Sequence, residues 1–375
     1  MTHDTPFPFP DSLPETGTDE SGVLALFTDL IESRSTRLGA STSLAHMDPP
    51  TPDLAARLVG LNAVHNQNLL HPDLSPFATE AERRVIDWLA PFFGMRDGHL
   101  CGGSSIANLA ALWCAREHGA RSVTASLDAH LSIPKAAHLL GMDYHALPID
   151  ERGRAIVPPT GVADDGALVL SAGTTGRGAI DPLVRPACGW LHVDAAWGGP
   201  LRLTRHASLL DGIQHADSVA ISAHKWLYQP KDSALVLFRS PEAQSRISFG
   251  GSYLAVPNVG VQGSRGAAAV PLLATLLAWG REGLAWRIER NMRDAERLAD
   301  ALDADPRVLL LQRPDTAVLN WRPADPEADM DALLKRLGTT SSRTSIDGET
   351  WVRQVAANPH ADIDAVLGVI ADSLA

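Results

Sequence analysis

Two segments near the start of the chain, SGVLALFTDLIESRSTRL and PDLAARLVGLNAVHNQNLL, repeat apolar residues at i, i+3, i+4 and i+7. That spacing predicts two helices, each with one apolar face. From Ser75 onward helical patterns (ATEAERRVIDWLAPFFG, SSIANLAALWCAREHG) alternate with short runs, SVTASL, GALVLSAG, WLHVDAA, SVAISA and SALVLFR. Several of these runs are apolar at nearly every position, as strands buried on both faces are, so a largely parallel sheet flanked by helices is expected: an α/β body. The helical stretches GAAAVPLLATLLAWG and LAWRIERNMRDAERLADALDA then lead out of the sheet. A second unit begins near residue 285, with strand-like RVLLLQ, AVLNWRP and TWVRQVAAN and helical DMDALLKRLG and ADIDAVLGVIADSLA, the pattern of a small α+β domain. The expected division is 1–74 for an N-terminal arm and helical segment, 75–284 for the large domain and 285–375 for the small one.

Composition narrows the classes of function. A chain of 375 residues with 45% hydrophobic and 20% charged residues has enough apolar material for a large core plus a smaller one. Its formal charge of −12 argues against nucleic acid as a main partner. Cys101, Cys114 and Cys188 have neither CxxC spacing nor an accompanying histidine pair, so no metal site and no disulfide framework is expected. The first 20 or so residues, rich in proline and acidic groups, read as a flexible arm rather than a leader peptide, and no apolar run is long enough to span a bilayer. A cytoplasmic protein without a membrane partner is expected.

Ligands of such sheets bind at the carboxyl ends of strands, and the chemically suggestive residues follow the apolar part of each run. Lys225, in SAHKWL, lies 31 residues after Asp194 of LHVDAAWGG. A lysine able to form a Schiff base, downstream of a carboxylate on a strand end, is the minimum equipment of an enzyme using pyridoxal 5'-phosphate (PLP). Asp194 would keep the pyridine nitrogen protonated, and the small Ala196 would let the ring lie flat. Gly102-Gly103-Ser104-Ser105 opens a helix and offers free N–H groups and a dipole to phosphate, although a plain helix cap explains the same residues. Ser222 and His224 could add phosphate contacts. His130 could stack on a planar ring or be one of many structural histidines. Thr174 and Thr175 form either a simple turn or a contact to the cofactor, Thr175 being the candidate.

Taken in order, LSPFATEAERRVIDWL, CGGSSIANLAAL, DAHLSIPKAA, SAGTTGRGAIDP, LHVDAAWGG, SAHKWL and GSRGAAA resemble the PLP-dependent group II amino-acid decarboxylases, from about His46 to the C-terminus. The resemblance implies a type I aminotransferase-like PLP fold and a homodimer with active sites at the interface. It implies Lys225 as the Schiff-base lysine, Asp194 as the pyridine partner and His130 as the stacking imidazole, with Ser104, Ser105, Ser222 and His224 around the phosphate. Ser264 would approach the neighbouring subunit's cofactor, and His46, Met47, Tyr253 and Arg353 would border the substrate pocket. The implied reaction converts an L-amino acid to its amine and CO2. The chain departs from the family pattern at Ile106 and Gly266, and its stretch from Tyr253 to Gly263 is short where longer members carry a mobile, tyrosine-bearing loop. The alternatives are a PLP-dependent lyase or aldolase, a decarboxylation-dependent oxidative deaminase, and a non-catalytic partner protein with the same fold.

Overall fold

A computed structural model of the chain describes Phe9 and residues 12–375; residues 1–8, 10 and 11 of the expected N-terminal arm lie outside the described residues. Two compact units are present, residues 1–37 and 38–375. The first contains helix α1 (Glu20–Arg34), whose N-terminus is capped by Asp19 accepting from the Gly22 amide at 2.8 Å. No residue of α1 is buried, and Phe9 stacks on Phe27 with ring centroids 5.2 Å apart.

In the second unit, α2 (Asp53–His65) and α3 (Pro76–Leu89) precede the sheet-forming region. That region runs β1 (Asp97–Cys101), α4 (Ser104–Glu117), β2 (Ser122–Ser126), α5 (Ser132–Leu140), β3 (Asp143–Leu147), β4 (Gly166–Ser171), β5 (Trp190–Asp194), β6 (Ser218–Ser222) and β7 (Ala234–Phe238). These seven strands form one sheet in the order β1-β7-β6-β5-β4-β2-β3. Only β7 is antiparallel to its neighbours; the other pairs are parallel, as the apolar runs predict. Both faces are covered. Along β4, Leu168 and Leu170 join one hydrophobic cluster while Ala167 and Val169 join the other, which also takes in the inner face of α4. Burial on both faces removes the polar alternation a half-exposed strand would show.

Beyond β7 come the one-turn helix α6 (Pro241–Ser245) and a short hairpin of β8 (Ser248–Phe249) and β9 (Asn258–Val259). Helix α7 (Ala269–Asp303) follows; it is two helices in line, interrupted at Gly280 with φ 60° and ψ −179°, a conformation essentially confined to glycine. The remainder is β10 (Val308–Leu310), β11 (Val318–Pro323), α8 (Met330–Leu337), β12 (Ser342–Ile346), β13 (Glu349–Val355) and α9 (Ile363–Ser373), with an antiparallel sheet in the order β10-β11-β13-β12. Among the described residues no helix is long and apolar enough to cross a membrane, and no group of three or more metal-ligating side chains converges.

Candidate active site

Parallel strands deliver their carboxyl ends to one edge of the sheet, and there the structure opens a narrow cleft. Its lining includes Ser104, His130, Thr174, Thr175, Asp194, Ala196 and Lys225, drawn from α4, the β2–α5 connection, the segment after β4, the end of β5 and the segment after β6. Residues about 120 positions apart in sequence meet because β5 lies between β4 and β6 in the sheet.

Among the described residues Lys225 has no hydrogen-bond or ion-pair partner for its amine. Burial pushes its pKa below the usual lysine range, against the raising effect of the Asp194 and Asp48 carboxylates. An amine held this way is more readily neutral, the form that attacks a carbonyl. The neighbouring Trp226 is fully buried and stacks on Trp197 at 4.0 Å between centroids, while the Trp197 indole donates to Thr316 Oγ1 at 3.1 Å. This aromatic pair clamps the segment carrying Lys225 to the one carrying Ala196, a contact worth about 0.5–1.5 kcal/mol beyond the area it buries.

Asp194 ends β5 and is buried. Its Oδ1 accepts from the Ala196 amide at 3.1 Å and its Oδ2 from Asn108 Nδ2 at 3.0 Å. Asn108 also donates to Ser132 Oγ at 2.9 Å, and its Oδ1 lies 3.0 Å from His192 Nε2. His130 Nδ1 lies 2.8 Å from Ser132 Oγ, and burial lowers the His130 pKa. His192 pairs across the parallel strands with Ser218, whose Oγ is 2.8 Å from Nδ1. Burial takes the His192 pKa down to about 4, so this ring is neutral at physiological pH. Asn108, Ser132, His192 and Ser218 were not singled out in the sequence. Two periodicities point to them: Asn108 is four residues beyond Ser104 on the same face of α4, and His192 is two residues before Asp194 on the same face of β5.

At the start of α4 the cap position is Gly103, with φ 144°, and no side chain caps the helix. The Ser104 and Ser105 amides therefore keep unused N–H groups, and Ser105 is exposed. Ser222, at the end of β6, is buried with no partner for its hydroxyl. His224 donates through Nδ1 to the Ser233 carbonyl at 3.2 Å, and burial, aided by Lys231 and Lys225, drops its pKa to about 4. Thr174 Oγ1 accepts from the Ala179 amide at 3.1 Å and so serves its own turn.

Ser105, Ser222 and His224 are not among the residues lining the cleft, and the remaining candidates also stand apart from it. Ser264 lines a separate cavity of about 560 Å³ with Gly102, Gln262 and Arg265, on a loop fixed by the Arg265–Glu82 ion pair. Met47 is buried, His46 is exposed, and Tyr253 is 72% exposed and lines neither space. Arg353, on β13, is partly buried, has no carboxylate partner among the described residues, and leaves Nε buried without a hydrogen bond. Burial lowers its pKa, opposed by Asp48, and its charge is near enough to act on Lys225. Asp48 is ion-paired with Lys231.

One further contact joins the cleft wall to the small sheet. Arg177, 5% exposed at its side chain, pairs with Asp128 at 3.1 Å and with Asp347 of the β12–β13 turn at 3.1 Å. The carbonyls of Gly176 and Gly178 accept from Asn320 and Thr316 of the small domain.

The pyridoxal-dependent decarboxylase conserved domain matches residues 46–320. The chain is 31% identical to an L-2,4-diaminobutyrate decarboxylase of Rhizobium meliloti, covering 95% of this chain and 82% of that protein. It is 29% identical to an aspartate 1-decarboxylase of Aliivibrio fischeri, covering 93% and 78%. In three dimensions it superposes on the crystal structure of mouse CSAD in apo form with a TM-score of 0.86 at 25% identity, covering 96% and 90% of the two chains.

Proposed function

Because the chain belongs to the pyridoxal-dependent decarboxylase family, we propose that the Lys225 cleft is where an amino acid loses its carboxylate. The protein has the type I PLP fold and is a PLP-dependent carboxy-lyase acting on an amino acid. The observation that carries the assignment of the site is Lys225: an unpaired, partly buried amine sharing one cleft with a strand-end carboxylate and an uncapped helix terminus.

The residues fit the cofactor. The unused Ser104 and Ser105 amides suit a phosphate, with the α4 dipole favouring an anion, and the buried, unpartnered Ser222 hydroxyl and His224 would complete its setting. Lys225 would hold the aldehyde carbon, Asp194 would accept from the ring nitrogen, and Ala196 and Thr175 would leave room along the ring. When bound, PLP supplies a protonated ring that takes up the electron pair left by departing CO2. Asp194, fixed by the Ala196 amide and Asn108, keeps that nitrogen's proton in place. Arg353 grips the substrate carboxylate, with His46, Met47 and Tyr253 toward the substrate side. His130 holds the proton that returns to the α-carbon, and the product is the primary amine.

The same reading takes 75–284 as the large domain and 285–375 as the small one. A homodimer is supported by the apolar residues Leu24, Phe27 and Ile31 of α1 and Leu61 and Val64 of α2, all exposed and in need of cover, and Ser264 would face the neighbouring subunit's cofactor. The free thiols of Cys101, Cys114 and Cys188 suit the cytoplasm.

Borohydride reduction of the PLP-loaded protein should leave a pyridoxyl group on the peptide containing Lys225, and Lys225→Ala should lose both that label and turnover. Incubation with pooled amino acids, including aspartate and 2,4-diaminobutyrate, should release CO2 and one primary amine in equal amounts. A label on another lysine, or an aldehyde as product, would overturn the corresponding part of this assignment.

A further inference from the structure

The polar side chains behind the cleft form one connected set: Trp190 Nε1 to Ser218 Oγ (2.9 Å), Ser218 Oγ to His192 Nδ1 (2.8 Å), His192 Nε2 to Asn108 Oδ1 (3.0 Å), Asn108 Nδ2 to both Asp194 Oδ2 (3.0 Å) and Ser132 Oγ (2.9 Å), and Ser132 Oγ to His130 Nδ1 (2.8 Å). Counting hydrogens gives the set a direction. The Ser132 backbone N–H, which can only donate, also reaches His130 Nδ1 at 3.2 Å, so that nitrogen is an acceptor and the neutral ring carries its proton on Nε2. Asp194, as a carboxylate, can only accept, so the NH2 end of Asn108 faces it and the amide oxygen faces His192. His192 must then donate through Nε2 and accept the Ser218 hydroxyl hydrogen at Nδ1. The Ser218 carbonyl, 3.2 Å from the same Nδ1, favours the opposite tautomer. That tautomer, however, would turn the Asn108 oxygen onto the Asp194 carboxylate, lone pair against anion, in a buried setting where such repulsion is poorly screened.

We infer that Asn108 is a positioning residue shared by the two cofactor-facing groups: one N–H orients Asp194 and the other, through Ser132, helps hold His130 as the Nε2–H tautomer. His130 therefore presents a hydrogen-bond donor to the cleft, and it cannot act as a base through Nδ1. His192 and Ser218 brace Asn108 from behind. The consequence for PLP rests on the cleft being its site; the direction of the hydrogen bonds does not.

The test uses apoprotein labelled with 15N-histidine, with signals assigned by His130→Asn and His192→Gln. Both rings should be neutral Nε2–H tautomers. Asn108→Leu should move the His192 proton to Nδ1, toward the Ser218 carbonyl, and weaken PLP binding, followed by quenching of tryptophan fluorescence, by roughly tenfold, the equivalent of one lost hydrogen bond to a charged group. Asn108→Thr, which keeps one donor, should recover part of that affinity. An Nδ1–H tautomer at His130 or His192 in the unsubstituted apoprotein overturns the inference and needs no variant that might misfold. So does an Asn108→Leu protein with unchanged His192 tautomer and PLP affinity. Failure of the unsubstituted protein to bind PLP would instead overturn the cofactor site, leaving the tautomer result to stand on its own.

Discussion

Replacing Arg353 with methionine should make the protein more stable and much less active. The guanidinium is partly buried on β13 with no carboxylate partner, and its Nε lies buried without an acceptor. An unsatisfied buried donor costs about 1–3 kcal/mol. Methionine has similar length and no donor, so Arg353→Met should raise the unfolding free energy of the apoprotein by about 1–2 kcal/mol, read from urea denaturation. In the role proposed for it, a two-pronged bond from this arginine to a substrate carboxylate would contribute about 2–5 kcal/mol, and its loss would lower kcat/KM by roughly 30-fold to 4,000-fold. The opposite signs are the diagnostic feature, because an arginine kept for folding loses stability when it is removed. A variant that is destabilised by more than about 1 kcal/mol and keeps kcat/KM within about threefold of the parent would refute the reasoning.

Stability should also depend on pH in a definite direction. Burial drops His192 and His224 to about 4, below the ordinary histidine value of about 6.5, so their contribution is complete above about pH 6.5 and is lost as pH falls toward 4. Asp181, raised to about 6 by burial, acts the other way, steadying the fold as it takes up a proton below about pH 6. Two groups outweigh one, so urea midpoints should decline between about pH 6.5 and 4; a flat or rising profile would contradict this. At neutral pH, Asp181→Asn should cost about 1–3 kcal/mol and weaken PLP binding. It sets an NH2 group against one of two backbone amides, Ala155 and Ser171, that Asp181 accepts from at 2.7 Å, and β4 ends at Ser171, just before the cleft threonines. Gly280→Ala should cost about 1–3 kcal/mol in the same denaturation assay, because a Cβ there meets no atom within 4 Å and the backbone conformation alone resists it. An unchanged midpoint would mean that α7 straightens freely.

The interior strands were readable because burial on both faces leaves an unbroken apolar run, as in β4 to β7. Strands β1 (DGHLC), β3 (DYHAL) and β12 (SRTSI) were not, for they lie at sheet edges, where partial exposure permits polar residues and erases the signal. The helical stretches on either side of Gly280 read as separate, and the structure lays them end to end. Within the site, Lys225 and Asp194 stood out because each is chemically unusual after an apolar run. Asn108 and His192 did not, since an asparagine inside a helix and a histidine inside a strand look ordinary until the packing of α4 against β5 and β6 joins them. Tyr253 and His46 were placed at the substrate border by resemblance alone, and their positions are decided by loops whose conformations no periodicity encodes.

The Arg177 tether has a mechanical consequence. Its two carboxylate partners sit in different connections, Asp128 between β2 and α5 and Asp347 in the β12–β13 turn, and the carbonyls on either side of it are held by Thr316 and Asn320. The cleft-lining loop of Thr174 and Thr175 is thereby bolted to the small sheet whose neighbouring strand carries Arg353. If Arg353 holds the substrate as proposed, a substrate that draws it inward would tug on the cleft wall, and reshaping the site for a longer or shorter amino acid would then require changes on both sides of that bolt at once.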